Sequence, residues 1–145
     1  MSDIQEVMGQ MIGALNEHDL EAMMRCYSPE AFFVSPSGKG EGADEVLSFW
    51  ALFQEAFPDL QLTPWRKCTC GDTVVMEWIL TGTHKGPYLM PDGEIIEATN
   101  RGITIRGCSV RNFENGLIVT HCIYYDQLEL LTQLGARLIL DRPAD

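Results

Sequence analysis

Positive charge is scarce in this chain. Ten Lys and Arg stand against 21 Asp and Glu among 145 residues, a formal net charge of −11. Phosphate backbones and anionic lipid repel such a surface, so no nucleic-acid or membrane partner is expected. Long apolar runs are missing too, and no stretch approaches the roughly 18–20 residues of a membrane span. The opening residues MSDIQEVMGQ carry early acids and no basic segment, unlike a secretory signal. No G-x-G-x-x-G follows a strand, and there is no Walker loop and no G-x-S-x-G elbow. Nucleotide cofactors and serine-hydrolase chemistry find no support, and no cofactor is expected.

Cysteine is present, but not in a pairing pattern. Cys26, Cys68, Cys70, Cys108 and Cys122 are odd in number and scattered, the usage of reduced thiols in a cytoplasmic protein. Cys68-x-Cys70 would set two thiols on one strand face. Structural zinc takes four N or S ligands, and no second C-x-C or H-x-H pair supplies them, so no metal is expected. With 46% hydrophobic and 21% charged residues the composition is that of a globular protein. The chain, residues 1–145, is expected to fold as one domain. Its length suffices to bury roughly 68–70% of its unfolded surface and to enclose a pocket.

Periodicity divides the chain. Ile4, Val7, Met8, Met11, Ile12 and Leu15 recur at helical spacing. Asp19 then suits the N-cap of a second helix carrying Leu20, Met23, Met24 and Tyr27, stopped at Ser28-Pro29. A short strand over residues 31–35 and a glycine-rich turn, SGKGEG, follow. A third helix from about Ala43 carries Val46, Phe49, Trp50, Phe53 and Phe57 and ends at Pro58. Beyond residue 60 the period falls to two, predicting strands over 61–69, 73–84, 102–113 and 117–125. Asn115-Gly116 is a two-residue hairpin signal, since both residues tolerate positive φ. QLELLTQL reads as a last helix, stopped by Gly135. Helices followed by adjacent antiparallel strands form the α+β pattern. A curved sheet wrapped on helices makes a cone-shaped barrel with an apolar pocket.

AFPDL at 56–60, TGTHKGPY at 81–88 and YYDQLELLTQLG at 124–135, in this order, resemble the SnoaL-like branch of the nuclear-transport-factor-2-like superfamily. The resemblance covers about residues 5–136. It implies a cone-shaped α+β barrel, oligomeric as a homodimer or homotetramer. It also implies a cofactor-free polyketide cyclase that closes a ring by intramolecular aldol condensation. The family's acid/base carboxylate corresponds to Asp126, before the L-L-x-Q-L-G helix. Family cyclases pair it with a His on the preceding strand, where this chain has Asn112, and residues 91–100 replace a shorter turn.

Asp126 suits a second role, as N-cap of the helix that follows. His84 ends the alternation Val74-Met76-Trp78-Leu80-Gly82-His84, where an apolar wall meets a loop. There it would bond a substrate carbonyl, orient Asp126, or brace the loop over 85–99. Trp50, Phe53, Trp78 and Tyr124 are candidates to hold a flat, aromatic or polycyclic ligand, with Asn112 reaching a ligand oxygen. His121 alternates with Val119, Ile123 and Tyr125, opposite in parity to Asp126, and is expected on the convex face or at an interface. Arg101, Arg106 and Arg111 are expected on a solvated or interface face. Isomerase chemistry like that of ketosteroid isomerase, epoxide hydrolysis, and ligand binding without turnover stand as alternatives.

Overall fold

The structure, a computed structural model, describes residues 3–141 and 143. Helix α1 (Ile4–Glu17) starts where the Asp3 carboxylate accepts the Gln5 N–H, and it buries Val7, Met8, Met11, Ala14 and Leu15. Its end is fastened to the sheet. The His18 ring meets the Leu60 carbonyl, and the Asn16 amide accepts the Leu62 N–H and donates to the Leu62 C=O. Helix α2 (Leu20–Met24) is capped by Asp19 as expected. It is shorter than its apolar pattern suggested, because Tyr27 opens strand β1 (Tyr27–Ser35) instead of ending the helix.

The glycine-rich segment is more than a turn. Residues Gly38–Glu41 form strand β2, antiparallel to β1. Helix α3 (Ala43–Ala56) lies over β1 and β2 and buries Val46, Trp50 and Phe53. Strands β3 (Gln61–Cys70) and β4 (Thr73–Thr83) follow. A two-stranded ribbon, β5 (Tyr88–Leu89) with β6 (Ile95–Ile96), occupies the segment read as a long turn. Strands β7 (Gly102–Glu114) and β8 (Leu117–Tyr125) meet at Asn115-Gly116, both at positive φ. Helix α4 (Gln127–Gln133) closes the fold, with Gly135 beyond its cap at φ 95°. The four long strands fall within one residue of the spans that period-two patterning predicts.

One curved six-stranded sheet, ordered β2-β1-β8-β7-β4-β3, carries the helices. Only β1 and β8 run parallel; the other neighbours are antiparallel. Strict alternation fills its inner face with Val74, Met76, Trp78 and Leu80 from β4, and with Ile103, Ile105, Ser109, Arg111 and Phe113 from β7. Strand β8 carries one extra residue, Val119, between the Asn112–Thr120 and Phe113–Ile118 pairs. That bulge puts Ile118 and His121, three residues apart, on the same inner side. Among the described residues no helix is long and apolar enough to cross a membrane.

The resembling motifs have structural duties. The Asp59 carboxylate of AFPDL accepts both the N–H and the hydroxyl of Thr83 at the end of β4, each at 2.7 Å. Those bonds hold its carboxyl below the usual range. Gly86 lies so close to the end of α3 that a Cβ there would sit 2.2 Å from the Glu55 carbonyl oxygen. Its N–H and that of Lys85 both donate to the Ala56 carbonyl. The F-P-D turn and the T-G-T-H-x-G strand end thus clasp one another.

Candidate functional site

An apolar chamber lies between α3 and the inner face of the sheet. Leu15, Phe49, Trp50, Phe53, Leu62, Trp78, Leu80 and Ile123 supply its apolar lining. With the side chains as placed it holds about 30 Å³ of free space, room for water and no more. Phe49 also lines an open groove of about 600 Å³ between the β1–β2 turn, α3 and Leu89–Pro91. A flat ligand would enter from that groove by moving Phe49, which packs 4.5 Å from Phe33 and 5.7 Å from Phe53 between ring centres.

Four polar side chains reach the lining. Ser35 donates to the Gly38 carbonyl, and Ser109 accepts the Trp78 indole N–H at 2.7 Å. Tyr125 meets the Ser37 hydroxyl at the rim, where Tyr88 and Gln127 complete a polar closure. The fourth is Arg111, 1% exposed. Its Nε and Nη1 find no acceptor, and among the described residues no carboxylate lies within ion-pair distance of it.

Directly across the β7–β8 ladder stands His121, fully buried. Its Nδ1 lies 2.7 Å from the Tyr27 hydroxyl, which accepts the Trp50 indole N–H at 3.2 Å. The Tyr27 proton has no other partner than His121 Nδ1, so the network fixes the imidazole with its hydrogen on Nε2. That nitrogen is buried and unpartnered. Burial, with the Arg111 charge adding to it, pushes His121 well below the usual histidine range and keeps it neutral. Burial likewise raises the Tyr27 hydroxyl. Of this pair Arg111 alone reaches the chamber lining, so the inner end of the site presents a cation, with the neutral His121 imidazole across the ladder behind it.

The structure distributes the sequence candidates unevenly. Trp50, Phe53 and Trp78 line the chamber together. Asp126 is exposed and caps α4, accepting the Glu129 N–H at 3.2 Å. His84 is buried beneath the β4–β7 connection. Its Nδ1 accepts the Thr99 N–H, and its backbone pairs with Asn100 and Arg101, so it braces that loop. Asn112 sits on the outward side of β7 between Thr73 and Thr120, bonded to both. Tyr124 is 60% exposed on the outer face.

Five residues were misplaced by pattern. His121 and Arg111, expected outside, are inside; Tyr27, expected on a helix, anchors His121. Arg111 had a usable signal in its parity with Ile103, Ile105, Ser109 and Phe113. His121 shares its parity with Ile123 and Tyr125, and the Val119 bulge that sets it on the same side as Ile118 is invisible in the pattern. Ile123 and Tyr125, counted toward an outward apolar face, line the chamber instead.

Helices seated in a curved six-stranded sheet around an apolar chamber define the nuclear-transport-factor-2-like fold. The chain belongs to the SnoaL-like polyketide cyclase family, whose profile matches residues 5–134. It is similar in structure to a candidate SnoaL-like polyketide cyclase from Jannaschia sp. CCS1, with TM-score 0.81, 18% identity and 93% of both chains covered. It is similar to IdmH, a candidate polyketide cyclase from Streptomyces antibioticus, with TM-score 0.76 and 23% identity, over 93% of this chain and 100% of that one. AclR, a candidate hydroxylase from Streptomyces galilaeus, matches at TM-score 0.77 and 23% identity, over 91% and 95%. No curated protein matches the chain by sequence. At such identities the structural likeness establishes the fold, and one fold hosts several chemistries.

Proposed function

We propose that this protein is a cofactor-independent cyclase that closes a ring in a small, flat, carbonyl-bearing substrate by intramolecular aldol-type condensation. The observation that supports this reading is the buried, unpartnered Arg111 guanidinium in the lining of an aromatic chamber, with the neutral His121 paired opposite it on the next strand. Aldol chemistry places negative charge on oxygen twice, first in the enolate and then in the alkoxide. Fixed donors in a water-excluding site stabilise such charge without reorganising.

Trp50, Phe53 and Trp78 would pack the faces of the substrate. Holding its reacting ends together contributes up to about 7–11 kcal/mol in well-oriented cases. The inner end supplies no base. In this reading Asp126 fills that role by releasing the Glu129 N–H and turning inward past the chamber-lining Tyr125. Its carboxylate takes a proton from a carbon flanked by two carbonyls. The enolate carbon attacks the second carbonyl, and the resulting alkoxide recovers the proton from Asp126. A carboxylate is a weak base, so the flanking carbonyls are required. His84 acts through the loop it braces.

The exposed cap position of Asp126 favours one rival, ligand binding without turnover. Epoxide hydrolysis through an Asp-Arg-Asp arrangement gains nothing from an Arg111 without an acid beside it. The decisive experiment is cyclisation of aromatic β-ketoesters, and of analogues that carry a free carboxylate, by wild type, Asp126→Asn and Arg111→Met. Asn keeps the cap and removes the titrating group, so a loss of about 10²–10⁴ in turnover is expected. Turnover within twofold of wild type in Asp126→Asn removes Asp126 as the base. No cyclisation by wild type, with binding intact, establishes the rival.

A further inference from the structure

A buried arginine ordinarily has a carboxylate or several carbonyl oxygens around its guanidinium. Arg111 departs from this. Its Nε and Nη1 carry three N–H donors between them, and none meets an acceptor. The ion pairs of the described residues, Arg25–Glu21 and Arg66–Glu77, are both elsewhere, with exposed side chains. The titratable side chains nearest Arg111 supply no anion either. Burial pushes both the Tyr27 hydroxyl and the Cys26 thiol up, so each stays protonated, and His121 across the ladder is neutral. Folding thus takes a permanent positive charge out of water to the lining of a chamber and gives it nothing to neutralise it.

A neutral carbonyl satisfies one donor and leaves the charge. A carboxylate satisfies several donors and removes the charge, and its paired oxygens match guanidinium geometry. We infer that the ligand of the chamber is itself an anion, a carboxylate on a flat apolar body, with its oxygens on Arg111. This rests on the chamber being the substrate site, and it narrows the substrate class from esters and ketones to free acids.

The test compares isosteric probes. The full-length protein is titrated with benzoate, benzamide and methyl benzoate, following the fluorescence of the tryptophans, two of which line the chamber. The series is repeated on Arg111→Met, whose side chain is apolar and of similar length. Benzoate is expected to bind at least about tenfold tighter than either neutral probe, and the preference is expected to vanish in Arg111→Met. A second measurement needs no variant: the Arg111 Nε–H resonance of the wild type should shift on adding benzoate and stay in place with benzamide. Equal binding of acid and amide, binding of neither at millimolar concentration, or an unmoved Arg111 resonance overturns the proposal. Equal binding with cyclisation intact leaves the cyclase reading standing. A benzoate preference without cyclisation leaves the anion site standing and removes the enzyme.

Discussion

Arg111 and His121 face one another across adjacent antiparallel strands, both fully buried on the concave side of the sheet and neither beside an acid. Each sets the state of the other. The guanidinium charge, added to burial, keeps the imidazole unprotonated, and the neutral imidazole leaves the guanidinium unopposed. Trp50 and Tyr27 then fix which imidazole nitrogen carries the proton.

Replacing Arg111 by Met should make the protein more stable while removing its preference for carboxylate ligands. Removing an uncompensated buried charge in favour of an apolar side chain of similar volume is worth about 1–3 kcal/mol by analogy with buried ion-pair replacements. For a domain of this size each kcal/mol raises the melting temperature by about 3–4 °C. Thermal unfolding checks the sign; a lower melting temperature would mean that Arg111 stabilises the fold through contacts of its own.

Acidification should destabilise the protein through His121. Its folded pKa lies well below the ordinary value, so between that value and about 6.5 the unfolded chain binds a proton that the native state does not. Stability therefore rises with pH across this window and falls on acidification, by up to about 1.4 kcal/mol per pH unit. His84, also lowered by burial, contributes with the same sign. Urea unfolding of wild type and His121→Gln between pH 7.5 and pH 5 separates the two, and the variant should show the shallower dependence. Parallel curves would assign the effect elsewhere.

Gly107→Ala should close the chamber. A Cβ at that position would lie 2.3 Å from the Trp78 indole, which rests across Gly107 on the neighbouring strand. The ring must move, lose its bond to Ser109 and enter the free space. Overpacking of this kind costs about 1–3 kcal/mol. Trp78 fluorescence should shift and aromatic ligands should no longer bind; unaltered binding would show that the ring is not part of the ligand wall.

Tyr27→Phe should release the His121 tautomer. The variant leaves the Trp50 N–H and His121 Nδ1 buried without partners, costing about 1–3 kcal/mol. Nitrogen NMR of the imidazole should find hydrogen on Nε2 in the wild type and a mixture of tautomers in the variant. A pure Nε2–H form in both would mean that Tyr27 does not fix the imidazole.

The elements most legible in the sequence are those whose side chains repeat one face. Alternation through Val74, Met76, Trp78 and Leu80 located β4, and Asn115-Gly116 located the β7–β8 hairpin, because local sterics and burial act on neighbours in the chain. Strand β2 was not legible. Gly38 and Gly40 have no side chain to alternate, and the segment becomes a strand only because β1 lies beside it. The ribbon β5–β6 is equally short of pattern, at two residues a side.

The candidate site was legible in its walls and not at its inner end. Trp50, Phe53 and Trp78 belong to regular apolar faces, so helix and strand periods bring them to the chamber lining. Tyr27, Arg111 and His121 depend on other facts: where α2 stops, which parity β7 presents, and a single extra residue at Val119. A one-residue slip turns a side chain from solvent to core, and no local signal marks this one.

The sequence by itself determined the helices, the four long strands, the family motifs and the apolar lining, since each follows from interactions between residues near in the chain. Only the tertiary structure decided that Asp126 caps a helix in solvent while Arg111 and His121 share the interior. The register of six strands assembled from distant segments sets which side of the sheet each side chain enters, and there the cost of burying a charge acts.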